Sequence, residues 1–264
     1  MTTGHGNGGS AGEALARYYD LDLQDDPGDV QLYLALAERT GSPVLELGVG
    51  SGRIAVPLAE AGHDVTGIDD DPKMLARADS DWRAPGPPKG GSLTLVEADI
   101  TEVRLPDRFG LVILALNTLL LLDEPERQLA ALRTMAAHLR PGGLAVVDVW
   151  LPGPEDLSLY DGRLLLEWQR GDPESGDQVT KLASARFDPA TATVTLTQLF
   201  DASPWGGGPV SRVSRTDRLR LVGANELVRM AADAGLEVEA LAGDHQMTPF
   251  GPGEERAILL GRLV

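Results

Sequence analysis

Cysteine is absent from the 264 residues. Disulfides, zinc–thiolate centres and thiol nucleophiles are thereby excluded. Histidine is scarce: His5, His63, His138 and His245 lie far apart, with no paired or HExxH spacing, so no dedicated metal site is expected. No run of 18 apolar residues occurs, and the longest greasy stretch, 111–122, is broken by Asn117 and Thr118; no membrane-spanning helix is expected. The opening MTTGHGNGGSAGE lacks the basic patch and apolar stretch of a secretory signal, so the chain reads as cytoplasmic with a flexible tail. Basic residues are few, 23 Lys and Arg against 40 Asp and Glu, for a formal charge of −17. That field repels phosphates over most of the surface, which argues against nucleic acid and against an anionic membrane. A cationic or neutral small molecule fits better, although acidity also serves solubility alone.

What is present is apolar periodicity, and the 42% hydrophobic content can fill a substantial core. Residues 13–23 and 28–40 read as helices. Short apolar strands follow at about 43–47, 65–68, 93–97, 111–115 and 144–149. Helices alternate with them at about 53–61, from Asp71-Pro72 onward, and at 124–139. Such alternation predicts an α/β fold with a mostly parallel sheet covered on both faces. The rhythm then changes. Residues 164–168, 178–187, 193–199 and 210–221 read as strands separated by turns such as DPESGD and SPWGGG, an antiparallel insertion. A helix at 223–235 and strands at 236–241 and 255–263 close the chain.

The chemistry concentrates in VLELGVGSGRIAVPLAEAGHDVTGIDDDP. A strand runs into Gly48, Gly50 and Gly52, which permit a sharp turn and close approach of a ligand to the backbone. Asp69 ends the next strand, where a carboxylate can accept from both hydroxyls of a ribose. A nucleoside cofactor is the expectation. The dinucleotide fingerprint is GxGxxG, whereas the spacing here is GxGxG with Arg53 in place of the third glycine. Glu46, two residues before Gly48, would repel a pyrophosphate but attract an ammonium or sulfonium. These features favour S-adenosylmethionine (SAM) over NAD.

ELGVGSGR resembles the first motif of class I SAM-dependent methyltransferases, and GIDDDPKML the second, with Asp69 in the ribose position. VEADI resembles the third, which implies that Asp99 meets the adenine amino group and that Ile100 lies along the ring. LRPGGLAVVD resembles the turn before the fifth strand. The resemblance covers about 43–149. It implies a Rossmann-like seven-stranded sheet of order 3-2-1-4-5-7-6, with the seventh strand antiparallel. The inserted strands, the paired tyrosines and the final hairpin are similar to N-methyltransferases of aminosugars and related small molecules. The implied organisation is a tail and cap helices over 1–42, a SAM-binding core over 43–160, an antiparallel insertion over 161–222 above the acceptor site, and completion of the core over 223–264.

Ligands of open α/β sheets bind outside the carboxyl ends of the strands. Leu114, Ala115 and Asn117 are therefore expected beside the methionine part of SAM. Tyr18 or Tyr19 would fold over the cofactor and assist transfer while the other packs against the body. Tyr33, whose hydroxyl needs a partner if buried, and Arg53 are further cofactor candidates. Asp148 and Trp150 are placed beside the acceptor, Asp148 pairing with an amine or capping a loop. Trp205 is a candidate rim residue. His245 is the one histidine expected near the active site. Direct transfer from SAM needs mainly alignment and exclusion of water, so an amine that arrives neutral requires no strong base. An O-methyltransferase, a non-catalytic SAM-fold subunit and an NAD-dependent oxidoreductase are the alternatives. Exposed antiparallel strands also suggest a homodimer.

Overall fold

The computed structural model describes residues 11–24, 27–86 and 90–263. His5 and the glycine-rich tail lie outside these residues. Two helices, α1 (Ala11–Asp22) and α2 (Val30–Thr40), precede the sheet. The core then alternates through β1 (Val44–Leu47), α3 (Ala55–Glu60), β2 (Asp64–Asp69), α4 (Pro72–Arg83), β3 (Ser92–Glu97), β4 (Phe109–Leu114), the single turn α5 (Thr118–Leu121), α6 (Pro125–His138) and β5 (Leu139–Trp150). A short α7 (Pro154–Leu159) leads into four strands, β6 (Asp161–Gly171), β7 (Gln178–Asp188), β8 (Thr193–Ser203) and β9 (Ser211–Arg220). Helix α8 (Ala224–Asp233), β10 (Leu236–Ala242) and β11 (Arg256–Leu263) complete the core.

The main sheet has the order β10-β11-β5-β4-β1-β2-β3. Read from β3, with β10 and β11 as sixth and seventh core strands, this is the 3-2-1-4-5-7-6 order of the resemblance. The first five strands pair in parallel, and β11 runs antiparallel to both β5 and β10. Every residue of β1 and β4 is buried. Their side chains alternate: Leu45, Leu47, Val112 and Leu114 enter one core, while Val44, Leu111 and Ile113 enter the other. A strand buried on both faces must be apolar at both parities, which is why these segments read as continuous hydrophobic runs. Helix α4 starts as its sequence predicts, with Pro72 in the first turn and the Asp71 carboxylate accepting from the Lys73 backbone N–H at 2.8 Å.

The fifth strand differs from expectation. It begins at Leu139, before the Pro141-Gly142-Gly143 turn, because Leu139 pairs with Phe109 before the ladder shifts register and resumes at Leu111–Leu144. Strands β6 to β9 form a separate four-stranded antiparallel sheet. One of its faces carries Val179, Phe200 and Ala202, which pack with Tyr18 and Leu21 of α1. Among the described residues, no helix is long and apolar enough to cross a membrane.

Candidate active site

The loop after β1 is shaped by positive φ at Gly48 (+74°), Gly50 (+55°) and Gly52 (+87°). At Gly48 a Cβ would also lie 2.4 Å from Thr118 Cγ2, so the start of α5 seats directly on the glycine turn. Asp69 ties the loop to β2: its carboxylate accepts from the Gly50 N–H at 2.8 Å and the Asp71 N–H at 3.0 Å. Burial raises its pKa and the two backbone donors partly offset that.

A cavity of about 600 Å³ opens over this loop. Gly48, Gly50, Asp69, Met74, Asp99 and Ile100 line its core side, and Thr118, Leu121 and Leu122 its floor beside α5. Leu15, Ala16 and Tyr19 of α1 close it from above, and Arg215 to Arg218 of β9 form the far wall. Six aspartates border the space (Asp69, Asp70, Asp71, Asp99, Asp123, Asp217) against two arginines, Arg215 and Arg218. The cavity is therefore electronegative. Helix α1 is pinned on both sides: Asp20 accepts from Ser51 Oγ at 2.6 Å and pairs with Arg77, while Asp22 accepts from Trp168 Nε1 at 2.8 Å and from Lys181 at 2.6 Å.

Behind the glycine loop lies a second, buried polar cluster. Glu46 is 3% exposed and Tyr33 fully buried. Glu46 Oε2 and the Tyr33 hydroxyl have no hydrogen-bond partner among the described residues. Burial, opposed by Arg53 and reinforced by Asp29 and Asp69, pushes the Glu46 carboxyl up to about 8. Burial likewise raises Tyr33 well above the usual phenol range, and Tyr19 to about 12. Both phenols stay protonated at neutral pH and serve as donors, not bases.

Several expected residues sit elsewhere. Tyr18 is not at the cavity: its ring packs 5.3 Å from Phe200, because the two successive tyrosines of α1 point about 100° apart and only Tyr19 faces the loop. Leu114 belongs to the core beneath the sheet, not to the cavity lining, since its parity in β4 sends it to the α6 side. Arg53 forks onto Asp29 through bonds of 2.6 and 2.7 Å. Asp148 is fully buried and already engaged, accepting from Arg256 at 2.5 Å and sitting 3.1 Å from His245 Nε2, so it does not present a free carboxylate to an acceptor. Trp150 packs against Tyr160 with the rings tilted and their centroids 6.1 Å apart. Its backbone N–H donates to Asn117 Oδ1 at 2.6 Å, and Asn117 adopts a left-handed φ of +67° between the ends of β4 and β5. Trp205 is exposed in the β8–β9 turn. Asp99 accepts from the Thr101 backbone and hydroxyl and pairs with Arg127 at 2.9 Å. Burial alone would raise its pKa, but these donors lower it on balance.

Sequence reasoning missed Asp29, Thr118 and the β9 wall. Asp29 stands where a helix cap is normal, but its side chain makes no cap bond and is spent on Arg53. Ligand atoms of Asp29, Asp148 and His245 lie within 4.8 Å of one another, a group the scattered histidines did not suggest. Both carboxylates hold arginines, which supply the positive charge that a cation would otherwise bring.

Residues 44–143 match the methyltransferase domain family. A cypemycin N-terminal methyltransferase from Streptomyces sp is 28% identical over 222 residues, covering 80% of this chain and 78% of that protein. The chain is a SAM-dependent methyltransferase. The structure of the CcbJ methyltransferase from Streptomyces caelestis superposes with a TM-score of 0.75 at 27% identity, over 90% of this chain and 96% of that one. SAM-bound CalS10 from Micromonospora echinaspora, an amino pentose methyltransferase of calicheamicin biosynthesis, has the same fold, with a TM-score of 0.67 at 20% identity over 98% of this chain and all of that one. SAM is the cofactor of this methyltransferase, and the residues present fit it. Gly48 leaves no room for a Cβ, Asp69 fixes the loop, and the Glu46 Oε2 and Tyr33 hydroxyl behind it have no partner among the described residues.

Proposed function

We propose that this methyltransferase transfers a methyl group to the nitrogen of a small amine. The observation that carries the reading is the electronegative cavity, with six aspartates against two arginines. That field raises the local concentration of a cationic amine. Two similar proteins carry names compatible with an amine acceptor, a cypemycin N-terminal methyltransferase and an amino pentose methyltransferase.

SAM supplies an electrophilic methyl on a sulfonium leaving group. The remaining work is binding, orientation and exclusion of water by the chain itself. Asp69 accepts from the ribose hydroxyls, and Asp99 and Ile100 border the adenine. Glu46 and Tyr33, whose Oε2 and hydroxyl have no hydrogen-bond partner among the described residues, hold the amino-acid end, with Arg53 fixed by Asp29 beside them. Tyr19 covers the cavity and, with its hydroxyl protonated, donates to cofactor or acceptor. Asn117, locked between β4 and β5, borders the reacting end. The amine loses its proton to solvent before attack, so rate rises with pH until the acceptor is deprotonated.

The test is methyl transfer from SAM to matched pairs of acceptors that differ only in amine against hydroxyl, with the modified atom located by mass spectrometry. Methylation of amines only is the expected result. Transfer to hydroxyls only would overturn the acceptor assignment, and absence of SAM binding by calorimetry would overturn the site.

A further inference from the structure

Helix α1 is attached to its two neighbours in two different ways. Toward the small sheet the contact is apolar. The cluster that holds Tyr18 and Leu21 takes Val179, Phe200 and Ala202 from the four-stranded sheet and, among the described residues, nothing from the seven-stranded core. Polar ties reinforce it: Asp22 holds Trp168 and Lys181, the Leu21 carbonyl accepts from Arg170, and Arg17 pairs at 2.9 Å with the buried Asp172. Toward α4 and the glycine loop the ties are polar, and neither core cluster includes a residue of α1. Asp20 accepts from Ser51 and from Arg77, and Glu13 pairs with Lys73 at 3.2 Å. Arg77 also donates from a second nitrogen to Glu174, in the β6–β7 turn, at 2.6 Å. In these three ion pairs every carboxylate lies on α1 or that turn, and both cations lie on α4. The register puts the β6–β7 turn and the end of β9 at opposite ends of the small sheet. The β9 end is fixed: Leu219 and Leu221 pack into the main core, and Arg220 holds Gln128 at 2.6 Å and Glu226 at 2.5 Å.

We infer that Arg77 is a positioning residue for the cofactor, the clasp of an ionic seam along which α1 and the small sheet part from α4 when cofactor exchanges. Two walls of the cavity belong to this one body, α1 above and β9 on the far side. The bonds available to break differ in kind. Parting α1 from the sheet exposes Tyr18, Leu21 and Phe200 to water, and nothing replaces their apolar burial. Parting α1 from α4 breaks ion pairs whose side chains already meet solvent, 22% for Arg77, 30% for Asp20 and 48% for Glu174. Water and salt ions replace such partners at little cost. The body therefore swings as a unit from the fixed end of β9 and opens at the seam. Arg77 is singled out because its fork reaches carboxylates on two separate elements, which the point charge of a lysine does not match. With the clasp closed, Tyr19, the neighbour of Asp20, sits over the cavity. The inference rests on that cavity being the cofactor site.

Release of S-adenosylhomocysteine (SAH), the demethylated cofactor, from the full chain tests this, followed by surface plasmon resonance. Release from the wild type should quicken several-fold between about 0.1 M and about 1 M salt, as the screening length shortens from about 10 Å to about 3 Å. Arg77→Gln should release SAH about tenfold faster and lose most of that salt dependence, with Arg77→Lys in between. Adding Asp20→Asn to Arg77→Gln should change little further, since both act on one bond. Arg83→Gln, which breaks the exposed pair with Asp79 on the same helix, should release SAH at the wild-type rate. The absence of native cysteine supplies a second readout. Glu13→Cys with Lys73→Cys, bridged by a short bis-maleimide after loading, should retain SAH through dialysis. A purely structural Arg77 would lower the unfolding midpoint in Arg77→Gln and leave the release rate and its salt dependence as in the wild type. That result overturns the inference, as does free exchange across the bridged seam. If Arg77→Gln does not fold, the wild-type salt series and the bridged seam decide. A wild type that binds no SAH overturns the cavity assignment itself, and the role of the seam with it.

Discussion

The two sheets of this methyltransferase obey different rules. The seven-stranded sheet is buried on both faces, and its central strands β1 and β4 carry apolar residues at every position except Glu46 and Gly110. The four-stranded sheet is buried on one face only, under α1, and alternates accordingly: β7 buries Val179, Lys181 and Ala183 and leaves the residues between them half exposed. In the first sheet a polar residue is an exception with a reason, as Glu46 behind the glycine loop shows. In the second, polarity on the outer face is ordinary and the anomaly is the row of leucines formed by Leu166, Leu182 and Leu199. The same residue type therefore carries different information in each. The ion pairs also divide: Lys181 is 5% exposed and bonded to both Asp22 and Glu167, holding α1 to the smaller sheet, whereas Arg83 and Asp79 on α4 are an exposed helical pair.

The largest expected effect lies on the first sheet. In Gly48→Ala the left-handed backbone alone costs about 1–2 kcal/mol, and the new Cβ meets Thr118 at 2.4 Å. SAM affinity should fall by more than about tenfold, measured by calorimetry on folded protein. Adding Thr118→Ser removes the clashing Cγ2 and should recover part of the loss. No recovery would mean that backbone strain, and not the seating of α5, sets the effect. Asp69→Ala should weaken SAM binding by roughly 1–3 kcal/mol, the cost of leaving polar groups without their acceptor.

A second prediction concerns Glu46. Its folded-state pKa of about 8 lies above its ordinary 4.5. The folded protein therefore holds a proton that the unfolded chain has released between those values, and stability from this group is full below 4.5 and lost as pH rises through 8. Glu46→Gln should remove that slope in denaturant titrations followed against pH. If Glu46 meets the cationic end of SAM, binding expels its proton, and affinity should rise up to about tenfold per pH unit below 8. Calorimetry in buffers of different ionisation heat should show release of about one proton at neutral pH. Zero release would place the cofactor's ammonium elsewhere.

Much of this was legible in the sequence, for identifiable reasons. Strand parity, the GxGxG turn and Asp69 at the end of β2 are local patterns, and local patterns fix local geometry. The order of the sheet came through the resemblance, as no spacing contains it. What stayed hidden were pairings between distant residues. Asp29 and Arg53 are 24 positions apart, and Asp148 and Arg256 are 108 apart. Asp148 at the end of β5 looked like an acceptor contact because its position was readable and its partner was not. Tyr18 and Tyr19 were legible as a pair, but which of them turns inward depends on how α1 is docked by Asp20 and Asp22.

The smallest expected effect is at Asp99, where the two kinds of reasoning meet. The resemblance assigns this carboxylate to the adenine amino group. The structure shows one oxygen holding the Thr101 backbone and hydroxyl and the other holding Arg127. Both members of the ion pair are partly open to water, 44% for Arg127 and 38% for Asp99, so the pair contributes at most about 1 kcal/mol to stability. Arg127→Ala should therefore leave the unfolding midpoint nearly unchanged and move the Asp99 carboxyl up towards its ordinary range. It should also free the second oxygen for the base. If Asp99 reads adenine, SAM then binds equally well or up to a few-fold tighter, because an internal competitor for the carboxylate is gone. If affinity falls instead, Arg127 is itself a cofactor contact, and the third motif here works through a pair of residues where the resemblance assigns one.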